Sequence, residues 1–140
     1  MSKYADIIER LEKAEGPDRL IDVLVGYAAD YVVEDISLRE RMDRHGVEYM
    51  LEKVDRGFNS IWPLLPRYTA SIDAAIALVE RMLPGWNNSS IRTGDNEFAA
   101  YVWKGNAPHQ KEYLCEGSPS RCGAILLALF RVLDAQETSE

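Results

Sequence analysis

Trp86-Asn87-Asn88-Ser89-Ser90-Ile91-Arg92-Thr93 is followed by Gly94-Asp95-Asn96 and then by Glu97-Phe98-Ala99-Ala100-Tyr101-Val102-Trp103-Lys104. These residues carry the signature of a sheet. Gly and Asn tolerate positive φ, so Gly94-Asp95-Asn96 predicts a hairpin turn joining two antiparallel strands, Trp86–Thr93 and Glu97–Lys104. In the second strand Phe98, Ala100 and Val102 point to one side, and Tyr101 and Trp103 to the other, the two-residue period of a pleated strand. A loop over Gly105–Gln110 and a short strand over Lys111–Cys115 complete an antiparallel three-stranded sheet.

Helical patterns surround these strands. Ser71 precedes Ile72–Leu83, in which Ile72, Ala75, Ile76, Val79, Met82 and Leu83 line one side, and Pro84-Gly85 stops the helix. After the sheet, Ser118-Pro119 opens a last helix reaching about Asp134. Its middle, Ala124–Phe130, is apolar nearly all round, which suits a helix buried between layers.

Near the start, Ser2 is placed to cap a first helix with Tyr4, Ile7, Ile8 and Leu11 on its apolar face. Asp6–Arg10 and Glu9–Lys13 lie four apart with the acid first, the favourable order. Gly16-Pro17 separates it from a second helix, Asp18–Tyr31, whose buried stripe is Leu20, Ile21, Leu24, Tyr27, Ala28 and Tyr31. The short link predicts an antiparallel hairpin. Ser37-Leu38-Arg39-Glu40 is a capping box for a third helix reaching about Arg56. Asn59–Arg67 carries Pro63 and Pro66, which exclude a regular helix.

The predicted fold class is α+β, a three-stranded antiparallel sheet packed with helices in the order α-α-α-α-β-β-β-α, forming a layered sandwich. The 140 residues fit one domain. Its parts are a helical hairpin (1–32), a helical addition with a Pro-rich connector (33–67) and an α-β-β-β-α unit (68–135).

Composition narrows the function. Hydrophobic residues make up 46% and charged residues 28% of the chain, ordinary for a globular protein, and the net charge is −7. Acid exceeds base in both halves, and no basic block occurs. Proteins that grip phosphate backbones draw most of their affinity from basic patches, so nucleic-acid binding is disfavoured. The helix–strand–strand–strand–helix order of 72–134 matches a double-stranded-RNA module, but the turn that would meet phosphates offers only Arg121, with Glu116 close by. Docking on an anionic membrane is disfavoured for the same reason. No apolar run approaches a membrane span, and Met1–Asp6 does not read as a signal peptide.

Two cysteines, Cys115 and Cys122, and two histidines, His45 and His109, are too few and too scattered for a structural zinc site. The cysteines read as reduced thiols packed as small apolar groups; the alternative, a disulfide between them, requires an oxidising compartment. Neither His has a partner indicated in sequence, and no phosphate-loop, nucleophile-elbow or zinc-protease pattern occurs. No cofactor and no metal is expected.

Three stretches together resemble a known family: Ile8-Glu9-Arg10-Leu11-Glu12-Lys13-Ala14-Glu15-Gly16-Pro17-Asp18-Arg19, Tyr68-Thr69-Ala70-Ser71-Ile72-Asp73-Ala74-Ala75 with Pro84-Gly85-Trp86, and Ser118-Pro119-Ser120-Arg121-Cys122-Gly123-Ala124. In this order they are similar to the phage ABA sandwich domain family, small proteins of phages and prophages. The resemblance covers about residues 5–32 and 66–134. It implies a layered α/β fold and a viral or prophage origin, and it brings no catalytic residue. Two departures stand out: residues 33–65 are longer and more helical than the family pattern, and the last helix begins Ser-Pro-Ser-Arg-Cys-Gly where small apolar residues are more usual.

Two candidate sites follow from the residues. Free N–H groups at the start of the last helix, around Ser118, Ser120 and Arg121, are suited to an anion. Arg92, Trp103 and Lys104 on the sheet are read as neighbours completing a pocket for a phosphate-bearing ligand, with Trp103 stacking on a base. The plainer reading is that Ser118 caps the helix and Arg121 pairs with an acid such as Glu116. The second site is apolar: Phe58, Ile61, Trp62, Leu64 and Leu65 form either a connector pinned across the core or a docking segment for a partner.

The leading expectation is a non-enzymatic phage or prophage accessory protein in the cytoplasm of a bacterial host, binding a host or phage protein and blocking a host defence function. The alternatives are a module that sequesters a nucleotide or small anion, and an enzyme whose site is assembled from scattered residues. Self-association through 58–65 is a further expectation.

Overall fold

The computed structural model describes residues 4–30, 32–33, 36–37, 66–105 and 114–138. In chain order these hold α1 (Ala5–Lys13), α2 (Arg19–Ala28), β1 (Val32–Val33), β2 (Ile36–Ser37), α3 (Ile72–Met82), β3 (Asn87–Gly94), β4 (Glu97–Trp103), β5 (Leu114–Ser118) and α4 (Arg121–Thr138). The fold is α+β, with helices packed against a three-stranded antiparallel sheet ordered β3-β4-β5.

α4 is the centre of the molecule. It packs against all three strands on one side and against α1 and α3 on the other. Residues 124–130 are accordingly buried on every face, as an all-round apolar helix requires. Phe130 stacks at a tilt on Tyr4, their ring centroids 5.6 Å apart. Arg131 donates to Glu12 at 3.1 Å and links α4 to α1 at the surface.

The helix ends follow local chemistry. Asp18 caps α2, its carboxylate accepting from the N–H groups of Leu20 and Ile21, and Ser71 caps α3 by accepting from Ala74. The surface pairs Arg10–Asp6 and Lys13–Glu9 form at 3.2 and 2.8 Å. At the start of α1 Tyr4 occupies the N-cap position without a side-chain bond; Ser2, expected as the cap, lies outside the described residues. In α3 the buried residues are Ala75, Leu78 and Val79, whereas Ile72 is 39% exposed. Ile72 is the first residue of the helix, so its side chain leaves the core before the stripe begins.

α2 ends three residues earlier than expected. Asp30 takes φ 52 beyond the C-cap, and a two-residue ladder pairs Val32 with Ser37 and Val33 with Ile36. Ser37 is therefore extended. The helix expected over 38–56, and the segment containing Phe58, Ile61, Trp62, Leu64 and Leu65, lie outside the described residues, as do His45 and His109.

The hairpin turn is tighter than predicted. Gly94 pairs with Glu97, so only Asp95 and Asn96 form the loop, and Asn96 alone adopts positive φ, at 56°. The described part of the third strand is Leu114–Ser118; it shares Leu114 and Cys115 with the expected strand and runs three residues further, while Lys111–Tyr113 lie outside the described residues. Phe98 pairs with Ser118 while Ala100 pairs with Cys115, so β5 carries an extra residue. Gly117 takes φ 75° in that bulge, a conformation suited to glycine.

Candidate functional site

The register of the sheet decides which of the predicted ligand residues can meet. Arg92 lies opposite Phe98, and Phe98 opposite Ser118. Arg121 places its guanidinium 5.3 Å from the centre of the Phe98 ring. Arg92, Ser118 and Arg121 therefore share the hairpin end of the sheet. Trp103 lies opposite Asn87, five residues further along β4. At about 3.4 Å per residue this puts Trp103 about 17 Å from Phe98, and Lys104 lies beyond it. The six-residue pocket is not formed: Trp103 and Lys104 are at the wrong end to stack on a ligand held by Ser118, Ser120 and Arg121.

Arg92 is engaged locally. Its Nε donates to the Gly94 carbonyl at 3.1 Å and a terminal nitrogen lies 3.6 Å from Asp95, both side chains being well exposed. Such a pair contributes little to stability.

The helix start also differs from the prediction. Ser118 is still in the β5 ladder, so the cap passes to Ser120, whose Oγ accepts from Gly123 N at 3.2 Å while its carbonyl accepts from Ala124 N at 2.9 Å. Ser118 Oγ instead donates to the Ser120 carbonyl at 3.0 Å and accepts from Ser120 N at 3.3 Å, closing a two-residue turn across Pro119. Gly123 lets this turn sit close: a Cβ there would lie 3.1 Å from Ser118 Oγ. Arg121 meets Phe98 as a cation–π partner, and its Nε is buried without a hydrogen-bond partner.

Around these serines Leu11, Ala14, Gly16, Thr69 and Gly123 enclose a crevice of ≈ 10 Å³. That volume holds about one water molecule. A nucleotide or phosphate does not fit inside it.

Beside the crevice lies a buried polar network. Thr69 N and Thr69 Oγ1 both reach Asp22 Oδ1 at 2.8 Å. Thr69 Oγ1 also accepts from Asp18 N at 2.8 Å and lies 3.1 Å from the Asp18 carbonyl. Asp22 and Thr69 are both nearly inaccessible. The network ties the start of α2 to the turn before α3. Cys122 is buried as well; burial is the main cause pushing its thiol up from the ordinary value, and the charge of Asp22 adds to it. Among the described residues, no group of three or more His, Cys, Asp or Glu side chains is placed to hold a metal ion.

A more open feature lies elsewhere. Pro66, Tyr68, Ala74, Ala77, Leu78 and Arg81 line a mostly apolar groove of ≈ 200 Å³. Tyr68 and Leu78 form its buried floor, while Ala77 and Arg81 are exposed at its rim. Arg81 is steadied by donating to the Asp30 carbonyl at 3.2 Å. Sequence reading assigned α3 one apolar side and missed this one. The signal was present in the spacing of Ala74, Ala77, Leu78 and Arg81, a second helical stripe, whose two alanines leave the space.

Comparison of the chain with family models, with curated proteins and with solved structures finds no match. No helix among the described residues is long and apolar enough to cross a membrane.

Proposed function

We propose that this protein acts by contact with another protein, as a phage or prophage accessory factor directed at a bacterial host protein. The observation that carries the contact reading is the size and lining of the α3 groove. Pockets for drug-sized ligands and cofactors run from about 300 to 1,000 Å³, whereas an apolar cavity of about 150 Å³ accepts benzene. At ≈ 200 Å³ the groove suits a single aromatic or leucine-sized anchor. An exposed Arg at the rim of an apolar floor containing Tyr is the composition of interface hot spots. The groove also begins at Pro66, directly after the apolar run Ile61-Trp62-Pro63-Leu64-Leu65, for which a docking surface is one of the two sequence readings, a connector across the core being the other.

The phage setting comes from the family resemblance, and a defence system as target rests on analogy with what small phage proteins often do; both are part of the proposal. Affinity capture from bacterial lysate with wild-type protein and with Ala77→Arg tests the reading. Ala77 is exposed, so the longer side chain fills the groove without touching the core. Loss of a specific partner with Ala77→Arg supports it. Equal capture by both proteins, or no specific capture by the wild type, refutes it.

A further inference from the structure

β3 is an edge strand, and its defences against pairing are few. Seven of its eight residues pair with β4, on one side only. No further backbone hydrogen bond engages Asn87–Thr93, so the outer N–H and C=O groups are open. Natural sheet edges are usually blunted by lysine, proline, inward-pointing charge or short length. Asn87–Ile91 has no charge and no proline, and the single bulge falls at the far end, between Arg92 and Gly94. Ile91 stands out on the edge 46% exposed.

Charge selects the occupant. The protein carries −7, so two copies repel when they approach by most faces. From Arg81 to Gly94 there is no Asp or Glu, and the charged side chains are two arginines. A basic partner is drawn to the acidic helices and not to this edge. A second copy presenting the same edge meets an uncharged strand with an uncharged strand. The other edge, β5, is shorter and carries Glu116.

We propose that β3 pairs antiparallel with β3 of a second copy about a two-fold axis near Ser89 and Ser90, making one continuous six-stranded sheet. The proposal is independent of the α3 groove and of the function proposed above. A two-fold axis normal to the sheet keeps each face on its own side, so residues of like parity oppose each other. An axis through Ser90 sets Ile91 against Ser89 and Arg92 against Asn88; one through Ser89 sets Ile91 against Asn87. Neither register opposes two charges of one sign. The paired segment is short, so the interface falls at the small, transient end of the size range, and the dimer assembles reversibly with concentration.

Sedimentation velocity over a hundredfold concentration range tests it, with Ile91→Lys and Ser89→Lys as variants and circular dichroism to confirm folding. Each lysine lowers the net negative charge and so eases general repulsion; weaker dimerisation in both variants then points to the edge itself. In a Cys115→Ser background, Ser89→Cys or Ser90→Cys should form an intermolecular disulfide under mild oxidation, while Ala77→Cys should not. Amide hydrogen exchange should slow in Asn87–Arg92 as concentration rises. A monomer at every concentration overturns the proposal. So does a dimer that survives both lysines and crosslinks at neither serine.

Discussion

Replacing Thr69 by Val removes one hydroxyl from the polar network beneath the turn before α3 and keeps the shape of the side chain. The hydroxyl accepts from Asp18 N at 2.8 Å, and its single proton has two acceptors in reach, Asp22 Oδ1 at 2.8 Å and the Asp18 carbonyl at 3.1 Å. The shorter bond to the carboxylate dominates. A hydrogen bond to a charged group contributes about 1.5–3 kcal/mol and a neutral one about 0.5–1.5. Asp18 is exposed, so its N–H can turn to water, and the lower figure applies there. Asp22 is buried at 2% exposure and keeps its bond from the Thr69 N–H. The expected loss is about 2–3 kcal/mol, a large share of a typical total of about 5–15. At about 4 °C per kcal/mol for a domain of this size, the melting temperature should fall by about 8–12 °C. Thr69→Ser keeps the hydroxyl, loses a methyl group, and should cost about 1 kcal/mol. Urea and thermal unfolding followed by circular dichroism separate the two. If Thr69→Val stays within about 0.5 kcal/mol of wild type, or Thr69→Ser costs as much, the network does not hold α2 to the turn as argued.

Asp18→Ala removes the α2 cap and should cost about 1 kcal/mol in the same unfolding assay. Gly123→Ala adds a good helix former, yet its Cβ meets Ser118 Oγ at 3.1 Å, and that oxygen is held by two bonds to Ser120. The single variant should be less stable than wild type, and Ser118→Ala should rescue it, a coupling read by a double-mutant cycle. Cys122 should resist iodoacetamide in the native protein and react readily in urea, measured in a Cys115→Ser background. Because burial raises its pKa from 9.0, the unfolded chain loses the thiol proton first as pH rises. The contribution is full below that value and lost above it, so the urea midpoint should drop more steeply past pH 9 in wild type than in Cys122→Ala.

Much of the fold was legible because it is written in local chemistry. Ser71 caps where a cap was expected, Asn96 makes the turn, and the unbroken apolar run 124–130 places α4 between layers. What stayed hidden depends on contacts between segments distant in sequence. Nothing in the local sequence after Cys115 announces a strand; the pairing of Phe98 with Ser118 and the bulge at Gly117 carry β5 on to Ser118. That pairing also keeps Ser118 in the sheet and hands the cap to Ser120. The ligand site suffered most. Arg92, Trp103 and Lys104 look adjacent in a linear reading of two strands, but antiparallel register sends Trp103 to Asn87 and leaves Arg92 with Phe98. The α3 groove was hidden for another reason: a space left by alanines has no residue to announce it.

The central position of α4 has a consequence for biosynthesis. The sheet on one side and α1 and α3 on the other meet this helix as their shared wall, yet it emerges from the ribosome after all of them. The earlier elements must wait on the nascent chain with their apolar faces unsheltered, open to chaperones and to aggregation. Folding is therefore a late, all-at-once event, and a chain stopped before residue 121 should be recovered as a proteolytically sensitive, aggregating species.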